Sequence, residues 1–204
     1  MTISLISAMS ENHVIGNNGL LPWGHLLNDL ANLYRITEGV PMIMGRKSYD
    51  TPDRVWSKTA PNIVVTRQAD LVLDADFERA ENIEQALQLI ENQGFTEVFI
   101  IGGGEIFKQS IHLADLIYLT LVHSTFEGDA FFPQIDPSVF QLIDRKDFQK
   151  DEQHAYDYSF LIYKKNASLD ILCHEFYELT NFTNLYVDLH VIVNTQIGKI
   201  RQFV

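Results

Sequence analysis

Residues 97–105 read Glu-Val-Phe-Ile-Ile-Gly-Gly-Gly-Glu. The apolar residues 98–101 predict a central buried strand, and the glycines predict a tight turn into a helix that begins at Glu105. Open α/β sheets bind ligands at such strand ends, and free N–H groups at a helix start attract phosphate. The turn has neither a GxGxxG fingerprint nor the GK[ST] of a phosphate-binding loop, so a turn without a ligand stays an alternative.

Strand and helix patterns alternate along the chain. Helices are predicted around Asp29, from Gly45, from Asn82 (an N-cap with Gln85 at the third position) and from Glu105. Apolar runs predict strands over residues 3–9, 40–44, 62–66, 97–101, 116–122, 140–145 and 158–163, with a loop over 11–19. This order predicts an α/β fold, with a mostly parallel central sheet, an antiparallel C-terminal edge hairpin and flanking helices. The chain changes character after Asn166, so we expect one domain over 1–166 and a C-terminal extension over 167–204.

The bulk composition bounds the classes of partner. The chain has 204 residues and a formal net charge of −12, which argues against a nucleic-acid or anionic-membrane surface. Cys173 is the only cysteine, so no intrachain disulfide can form. No basic leader or long apolar run is present, and we expect a cytoplasmic protein with a small-molecule substrate. A monomer is expected.

A carboxylate interrupts the apolar face of the first predicted helix. Leu26, Leu30, Leu33 and Thr37 follow helical spacing, and Asp29 falls on the same face. Burying an unpaired carboxylate is costly, and no Lys or Arg lies three or four residues away. The partner of this carboxylate is therefore a ligand, or else the side chain reaches solvent or accepts backbone hydrogen bonds.

Two further strand ends carry cations. Residues 45–48 read Gly-Arg-Lys-Ser, and Thr66-Arg67 ends the next predicted strand. Each is compatible with a solvated basic turn, but turns converging on one sheet edge would suit a ligand with several phosphates. The seven histidines lack metal-binding spacing and no GxSxG segment occurs, so neither a metal site nor a serine nucleophile is predicted.

Seven segments occur in a fixed order along the chain. They are Val14-Ile15-Gly16, Leu21-Pro22-Trp23, Asp29 on the next helix, Met44-Gly45-Arg46-Lys47-Ser48, Ile101-Gly102-Gly103-Gly104-Glu105-Ile106-Phe107, Tyr118-Leu119-Thr120 and Glu127-Gly128-Asp129-x-x-Phe132-Pro133. Each segment is common alone, but the ordered set is specific. In this set the chain resembles the dihydrofolate reductases, from about residue 2 to 165.

The resemblance implies NADPH-dependent reduction of 7,8-dihydrofolate to 5,6,7,8-tetrahydrofolate, a step of one-carbon metabolism. Hydride would pass to the pterin C6, with protonation of N5. Asp29 would anchor the pterin by accepting hydrogen bonds from N3 and the 2-amino group. Proton delivery would use Asp29, ordered water and the loop of Leu21, with Trp23 and Thr120 holding the water.

The resemblance also implies two sets of binding residues. Substrate contacts would come from Ile6, Ala8, Leu30, Leu33, Thr51 and Ile101. Cofactor contacts would come from Ala8, Ile15, Gly45, Arg46, Lys47, Ser48, Thr66, Arg67, Gly103, Gly104, Glu105, Ile106 and Phe107. An Arg at position 67, near the adenosine 2′-phosphate, fits NADPH better than NADH, and the peptide between Gly103 and Gly104 is expected to be cis.

Two departures from the family pattern lie in the pocket for the substrate's glutamate tail. Leu33 replaces a usual Phe, and Ala60 replaces a usual Arg that holds a carboxylate. Losing such a pair costs about 1.5–3 kcal/mol, or roughly tenfold to hundredfold in dissociation constant. Lys58 or Arg54 could compensate, and Trp56 could fill the space of the missing Phe.

Three functional hypotheses stay open: a dihydrofolate reductase, an NADPH-dependent reductase of a tail-less dihydropterin or related pyrimidine, and a non-catalytic cofactor-binding homologue.

Overall fold

The structure, a computed structural model, describes residues 1–24 and 26–166. The predicted extension over 167–204 lies outside the described residues. The helices are α1 (Leu27–Ile36), α2 (Arg46–Tyr49), α3 (Ile83–Asn92) and α4 (Gly104–Ser110), with a 3-10 turn at Ile111–Leu113. The strands are β1 (Thr2–Ser10), β2 (Val14–Gly16), β3 (Met42–Gly45), β4 (Asn62–Val65), β5 (Phe77–Ala80), β6 (Glu97–Gly102), β7 (Leu116–Val122), β8 (Ala130–Phe131), β9 (Phe140–Phe148) and β10 (Tyr158–Lys165).

The main sheet has eight strands in the order β5-β4-β3-β6-β1-β7-β10-β9. From β5 to β7 every neighbouring pair is parallel. The last pairings, β7 with β10 and β10 with β9, are antiparallel. The predicted fold class is therefore confirmed, including the antiparallel edge hairpin.

The strands beside β1 are rich in buried aliphatic side chains because helices cover the parallel part of the sheet. Leu5 of β1, Ile43 of β3 and Ile100 of β6 are fully buried in one core cluster. The cluster also holds Ala86 and Ile90 of α3. These contacts place the carboxyl ends of β3 and β6 side by side, where the candidate site lies.

The start of α3 follows its predicted capping pattern. The Asn82 side chain accepts a hydrogen bond from the Gln85 N–H at 2.8 Å. The Gln85 side chain reaches back to the N–H of Glu81, one residue before the cap, at 2.7 Å. The first bond satisfies an N–H group that the helix itself leaves without a partner, and the second ties the residue before the cap to the helix start.

Three short strands, β2, β5 and β8, were not predicted by the hydrophobic pattern. β5 has charged residues at both inner positions, and only Phe77 and Ala80 at its ends are buried. The predicted loop over 11–19 contains β2, which pairs with β8 in a separate two-stranded sheet. None of the three is long enough to show an alternating apolar pattern, so pairing with neighbours rather than propensity decides them.

The apolar face predicted for α1 is not buried along its length. Leu26 and Thr37, which flank the helix, are 4% and 2% exposed, whereas Leu30 is 40% exposed. No residue within α1 is buried. The helix is therefore packed at its two ends, and Leu30 between them stays exposed. No helix in the described ranges has the length and apolar character that crossing a membrane requires.

Candidate active site

Asp29 lies in the first turn of α1 and faces the end of β7. The Thr120 hydroxyl donates a hydrogen bond of 2.5 Å to Asp29 Oδ1. Desolvation by burial raises the pKa of Asp29 above its ordinary value, and the Thr120 hydrogen bond offsets only part of that rise. No salt bridge to Asp29 occurs within residues 1–24 and 26–166. The carboxylate is thus desolvated without a neutralising cation from this part of the chain.

Trp23 presents a second polar group beside this helix end. The residue is 5% exposed and packs in a cluster with Leu26 and Val122. Its ring meets Phe126 edge to face, with centroids 5.7 Å apart. The Trp23 Nε1 atom is buried and has no hydrogen-bond acceptor among the described residues. Buried indole N–H groups normally have a partner, so this one is available to a group outside the described residues.

The segment that carries Leu21 lies between β2 and α1 and is tied to the segment before β8. Leu21 itself is 47% exposed. The Asn18 N–H donates to Asp129 Oδ1 at 3.2 Å, and the Asp129 N–H donates to Gly16 O at 3.1 Å. At Gly128 an added Cβ would lie 2.3 Å from Val14 Cγ1, so only glycine permits this approach.

The predicted glycine turns lie side by side. Met44 of β3 pairs with Gly102 of β6, so the turns into α2 and α4 start at neighbouring strand ends. A Cβ added to Gly45 would lie 2.7 Å from Ile106 Cγ1, and one added to Gly103 would lie 3.2 Å from Ser48 Oγ. The missing side chains of these glycines thus let the two turns approach each other closely.

The expected cis peptide is one residue out of place. The cis bond joins Gly102 to Gly103, not Gly103 to Gly104. Gly102 also has φ +121°, a conformation that side chains rarely adopt, which explains why the turn needs its first glycine.

Cations border these turns. The Arg46 Nη1 atom lies 2.6 Å from Asp50 Oδ2, and Lys47 is exposed. Val65 pairs with Gly45, so Thr66 and the exposed Arg67 follow the adjacent strand end. The three strand ends that were predicted to converge are therefore neighbours in the sheet.

Other predicted site residues divide into residues beside Thr120 or partly buried and side chains that belong to the core. Ala8 of β1 pairs with Thr120, while Ile15 of β2 and Ile101 of β6 are partly buried. Ile106 and Phe107 are buried, and the Phe107 ring packs on Phe132 with centroids 4.8 Å apart. Contacts of these last two residues with a cofactor could therefore come only from their backbone. The remaining predicted residues are Ile6, which is 7% exposed, Leu33, Thr51 and Ser48, which are partly buried, and Gly104 and Glu105 at the start of α4.

Near Ala60, the candidate replacement cations already have partners. Arg54 forms an ion pair with Asp74, and its guanidinium lies 4.6 Å from the Tyr49 ring centroid. Lys58 Nζ lies 3.2 Å from the centroid of the Trp56 ring. That indole packs on Phe77 at 5.6 Å between centroids.

Sequence reasoning missed a polar anchor at the start of α1. The Asn28 side chain donates to the Tyr158 hydroxyl at 2.8 Å, and the Asn28 N–H donates to His154 Nε2 at 3.4 Å. In the sequence, Asn28 lies 126 residues from His154 and 130 residues from Tyr158. Only the short Asp151-x-x-His154 spacing, which suits a side-chain-capped turn, signals that His154 has a fixed orientation.

Comparisons with known proteins agree with this geometry. A family model described as "Dihydrofolate reductase" matches residues 2–165. The chain is 39% identical over 168 residues to the dihydrofolate reductase of Bacillus subtilis, a match covering 81% of this chain and 96% of the relative. It is 40% identical over 162 residues to that of Haemophilus influenzae, covering 79% and 98%. The solved structure of dihydrofolate reductase from Enterococcus faecalis, complexed with NADP(H) and RAB-propyl, matches with a TM-score of 0.73 and 31% identity, covering 81% of this chain and 97% of that one.

The matched region contains Asp29, Thr120 and the turns at Gly45 and Gly102, which lie together in the structure. A lone motif can recur in unrelated proteins, but agreement over nearly the whole length of the relatives cannot be explained by one segment. The chain belongs to the dihydrofolate reductase family.

Proposed function

We propose that the protein reduces 7,8-dihydrofolate to 5,6,7,8-tetrahydrofolate with NADPH as cofactor. As a family member it is an NADPH-dependent oxidoreductase. The single observation that carries the proposal at the residue level is Asp29, a desolvated carboxylate held by Thr120 without a cation partner among the described residues. A ring with adjacent N–H donors supplies the missing partners of such a group.

In the proposed site, Asp29 holds the pterin through N3–H and the 2-amino group. Thr120 keeps the carboxylate in place by donating to Oδ1, which leaves the other oxygen free of that bond. The buried Trp23 N–H, which has no acceptor among the described residues, would donate to an ordered water that carries a proton toward N5. Leu21, on the segment tied to Asp129, closes over the pterin and excludes bulk water.

The residues at the glycine turns fit the cofactor. NADPH supplies the hydride when it is bound. Backbone N–H groups at the turns after Gly45 and Gly103 would hold its phosphates, with charge from Arg46 and Lys47. Arg67 would meet the 2′-phosphate and would favour NADPH over NADH. The orientation these residues provide contributes to rate by fixing the reactants in position.

A substrate comparison tests the proposal. Purified protein is assayed for loss of NADPH absorbance with dihydrofolate and, separately, with a dihydropterin that lacks the p-aminobenzoyl-glutamate tail. We expect turnover of both and a higher kcat/KM for dihydrofolate. An equal or higher kcat/KM for the tail-less compound would reject dihydrofolate as the preferred substrate. Absence of turnover with both would support a non-catalytic homologue.

One observation favours the tail-less alternative enough to keep it. Ala60 offers no cation, Arg54 is paired with Asp74, and Lys58 lies over Trp56. The advantage of dihydrofolate over the tail-less compound is therefore expected to be small. The variant Ala60→Arg should increase this advantage by lowering the KM for dihydrofolate roughly tenfold to hundredfold, the value of one charge-assisted pair. Ala60→Gln is the uncharged control.

We also infer a cytoplasmic site of action in one-carbon metabolism and a monomeric state. The single cysteine at position 173 supports a reducing compartment. Sedimentation of the purified protein tests the monomer, because a dimer would double the measured mass.

A further inference from the structure

The amino end of α1 has no side-chain cap from its own segment. Its N-cap residue is Leu26, whose side chain offers no hydrogen-bond acceptor. The first N–H groups of any helix lack partners within the helix, and a missing cap weakens the helix start. The N–H of Asn28 instead donates to Nε2 of His154, 3.4 Å away, on the loop between β9 and β10. An imidazole from a distant loop thus takes the place of the cap.

This contact defines the tautomer of His154. A backbone N–H can only donate, so Nε2 must carry the lone pair and the ring proton must be on Nδ1. Nδ1 lies 2.7 Å from Asp151 Oδ1, where that proton has an acceptor. The His154 side chain is 1% exposed, whereas that of Asp151 is 56% exposed. The exposed carboxylate therefore orients the buried ring.

Asp151 is itself held in place. Its Oδ1 atom accepts the N–H groups of Gln153 and His154, each at 2.8 Å. These bonds, with that from Gln153 the strongest influence, hold the pKa of Asp151 below its ordinary value. The carboxylate is therefore ionised at neutral pH and remains an acceptor for Nδ1–H.

A second tie joins the same helix turn to the same hairpin. The Asn28 side chain donates to the Tyr158 hydroxyl at 2.8 Å. Tyr158 is 1% exposed and stacks on Phe148, with centroids 4.9 Å apart and 6° between the planes. Tyr158 of β10 also pairs with Val122 of β7, the strand that carries Thr120. The backbone next to Asp29 and the Asp29 carboxylate are thus both fixed relative to β7 and β10.

We propose that His154, in the tautomer fixed by Asp151, is a positioning residue that sets the location of Asp29 by capping α1 at Asn28. The inference rests on the proposed function, because it assigns Asp29 the task of holding the pterin. His154 would touch neither substrate nor cofactor. Its effect would be confined to the pterin side, since the cofactor turns belong to β3 and β6.

Paired variants at His154 separate positioning from general stability. His154→Phe keeps the ring volume and removes both nitrogen atoms, whereas His154→Gln keeps an acceptor at a similar reach. We expect His154→Phe to raise the KM for dihydrofolate about tenfold, with a smaller change in kcat and an unchanged Kd for NADPH. His154→Gln should restore most of the KM. An equal loss of NADPH affinity in His154→Phe would indicate loosening of the whole fold and would overturn the proposal.

Asp151 provides a test that leaves the buried ring untouched. Asp151→Ala removes the acceptor for Nδ1–H, so the ring is free to place its proton on Nε2, where it opposes the Asn28 N–H. Asp151→Asn keeps an oxygen acceptor and is the matched control. We expect Asp151→Ala to raise the KM for dihydrofolate several-fold and Asp151→Asn to stay within twofold of the wild type.

Nitrogen NMR of the histidine rings in the full-length protein reads the tautomer without any assay of activity. His154 should show a protonated Nδ1 and an unprotonated Nε2 in the wild type, and this pattern should be lost in Asp151→Ala. A proton on Nε2 in the wild type would overturn the inference. If the wild type shows the expected tautomer but no turnover of dihydrofolate, the proposed function fails, and equilibrium binding of folate to His154→Phe and His154→Gln decides the positioning role. Equal folate affinity in both variants would reject it.

Discussion

At the residue scale, Asp29 combines a functional role with a cost in stability. Its carboxylate is desolvated, and only the Thr120 hydroxyl partly compensates within the described chain. We expect Asp29→Asn to raise the melting temperature at neutral pH. Removing the desolvation penalty of the carboxylate should stabilise the fold by on the order of 1 kcal/mol. In a domain of this size, that gain raises the melting temperature by about 2–4 °C. Calorimetry of the ligand-free protein measures the difference, and an unchanged or lower melting temperature would contradict it.

The same carboxylate predicts how that difference depends on pH. Below the ordinary Asp value of 3.8, the group is protonated in the folded and the unfolded states, so it contributes nothing. Between that value and the raised pKa of the folded state, the folded protein binds more protons, so stability falls as pH rises. The advantage of Asp29→Asn should therefore grow from acid to neutral pH and then level off. Comparing the melting temperatures of variant and wild type at each pH cancels the contributions of the carboxylates that both proteins share. A difference in melting temperature that shrinks with rising pH would refute the raised pKa of Asp29.

Thr120 offers a separate residue-scale prediction. Thr120→Val keeps the side-chain shape but removes the donor that lowers the pKa of Asp29. A bond to a charged group contributes about 1.5–3 kcal/mol, so kcat/KM for dihydrofolate should fall roughly tenfold to hundredfold. Thr120→Ser retains the hydroxyl and should stay near the wild type. Equal activity of the two variants in steady-state assays would show that the hydroxyl has no part in holding Asp29.

At the scale of elements, the tie between β2 and the segment before β8 depends on Gly128. A Cβ there would lie 2.3 Å from Val14 Cγ1 and 2.6 Å from Gly16 O. We expect Gly128→Ala to destabilise the protein by about 1–3 kcal/mol and to lower turnover by displacing the Leu21 segment. Gly16→Ala is the matched control, since its Cβ would meet Ala130 at an ordinary 3.6 Å. Urea unfolding measures the free energy of unfolding of both variants. A larger loss in Gly16→Ala than in Gly128→Ala would contradict the account.

Elements with a strong local signal could be predicted from the sequence, and those fixed by partners could not. β3 and β6 contain unbroken apolar runs that end in glycine turns, and β1 is mostly apolar, so the place and type of these strands follow from the pattern. β5 and β8 are short and are defined by the strands they pair with. Asp29 stood out because its spacing conflicts with an apolar face, whereas the contact of Asn28 with His154 spans the domain and has no local signal.

At the scale of the whole molecule, the described sheet and site lie within residues 1–166, and the family match covers residues 2–165. A chain that ends at Asn166 is therefore expected to keep the kcat/KM and melting temperature of the full-length protein. Asn166 itself donates to Ser138 O at 2.9 Å, so it should be retained in the shortened chain. A large loss of activity or stability on removing 167–204 would assign that extension a role in the domain.

The central claim is that Asp29 holds the pterin while separate turns hold NADPH. The most direct measurement compares wild type and Asp29→Asn in steady-state reduction of dihydrofolate at neutral pH, with NADPH affinity measured in parallel by fluorescence titration. We predict that the wild type oxidises NADPH in the presence of dihydrofolate. In Asp29→Asn, kcat/KM should fall by at least about a hundredfold with the Kd for NADPH nearly unchanged. Comparable turnover in the variant, or a parallel loss of NADPH affinity, would contradict the account.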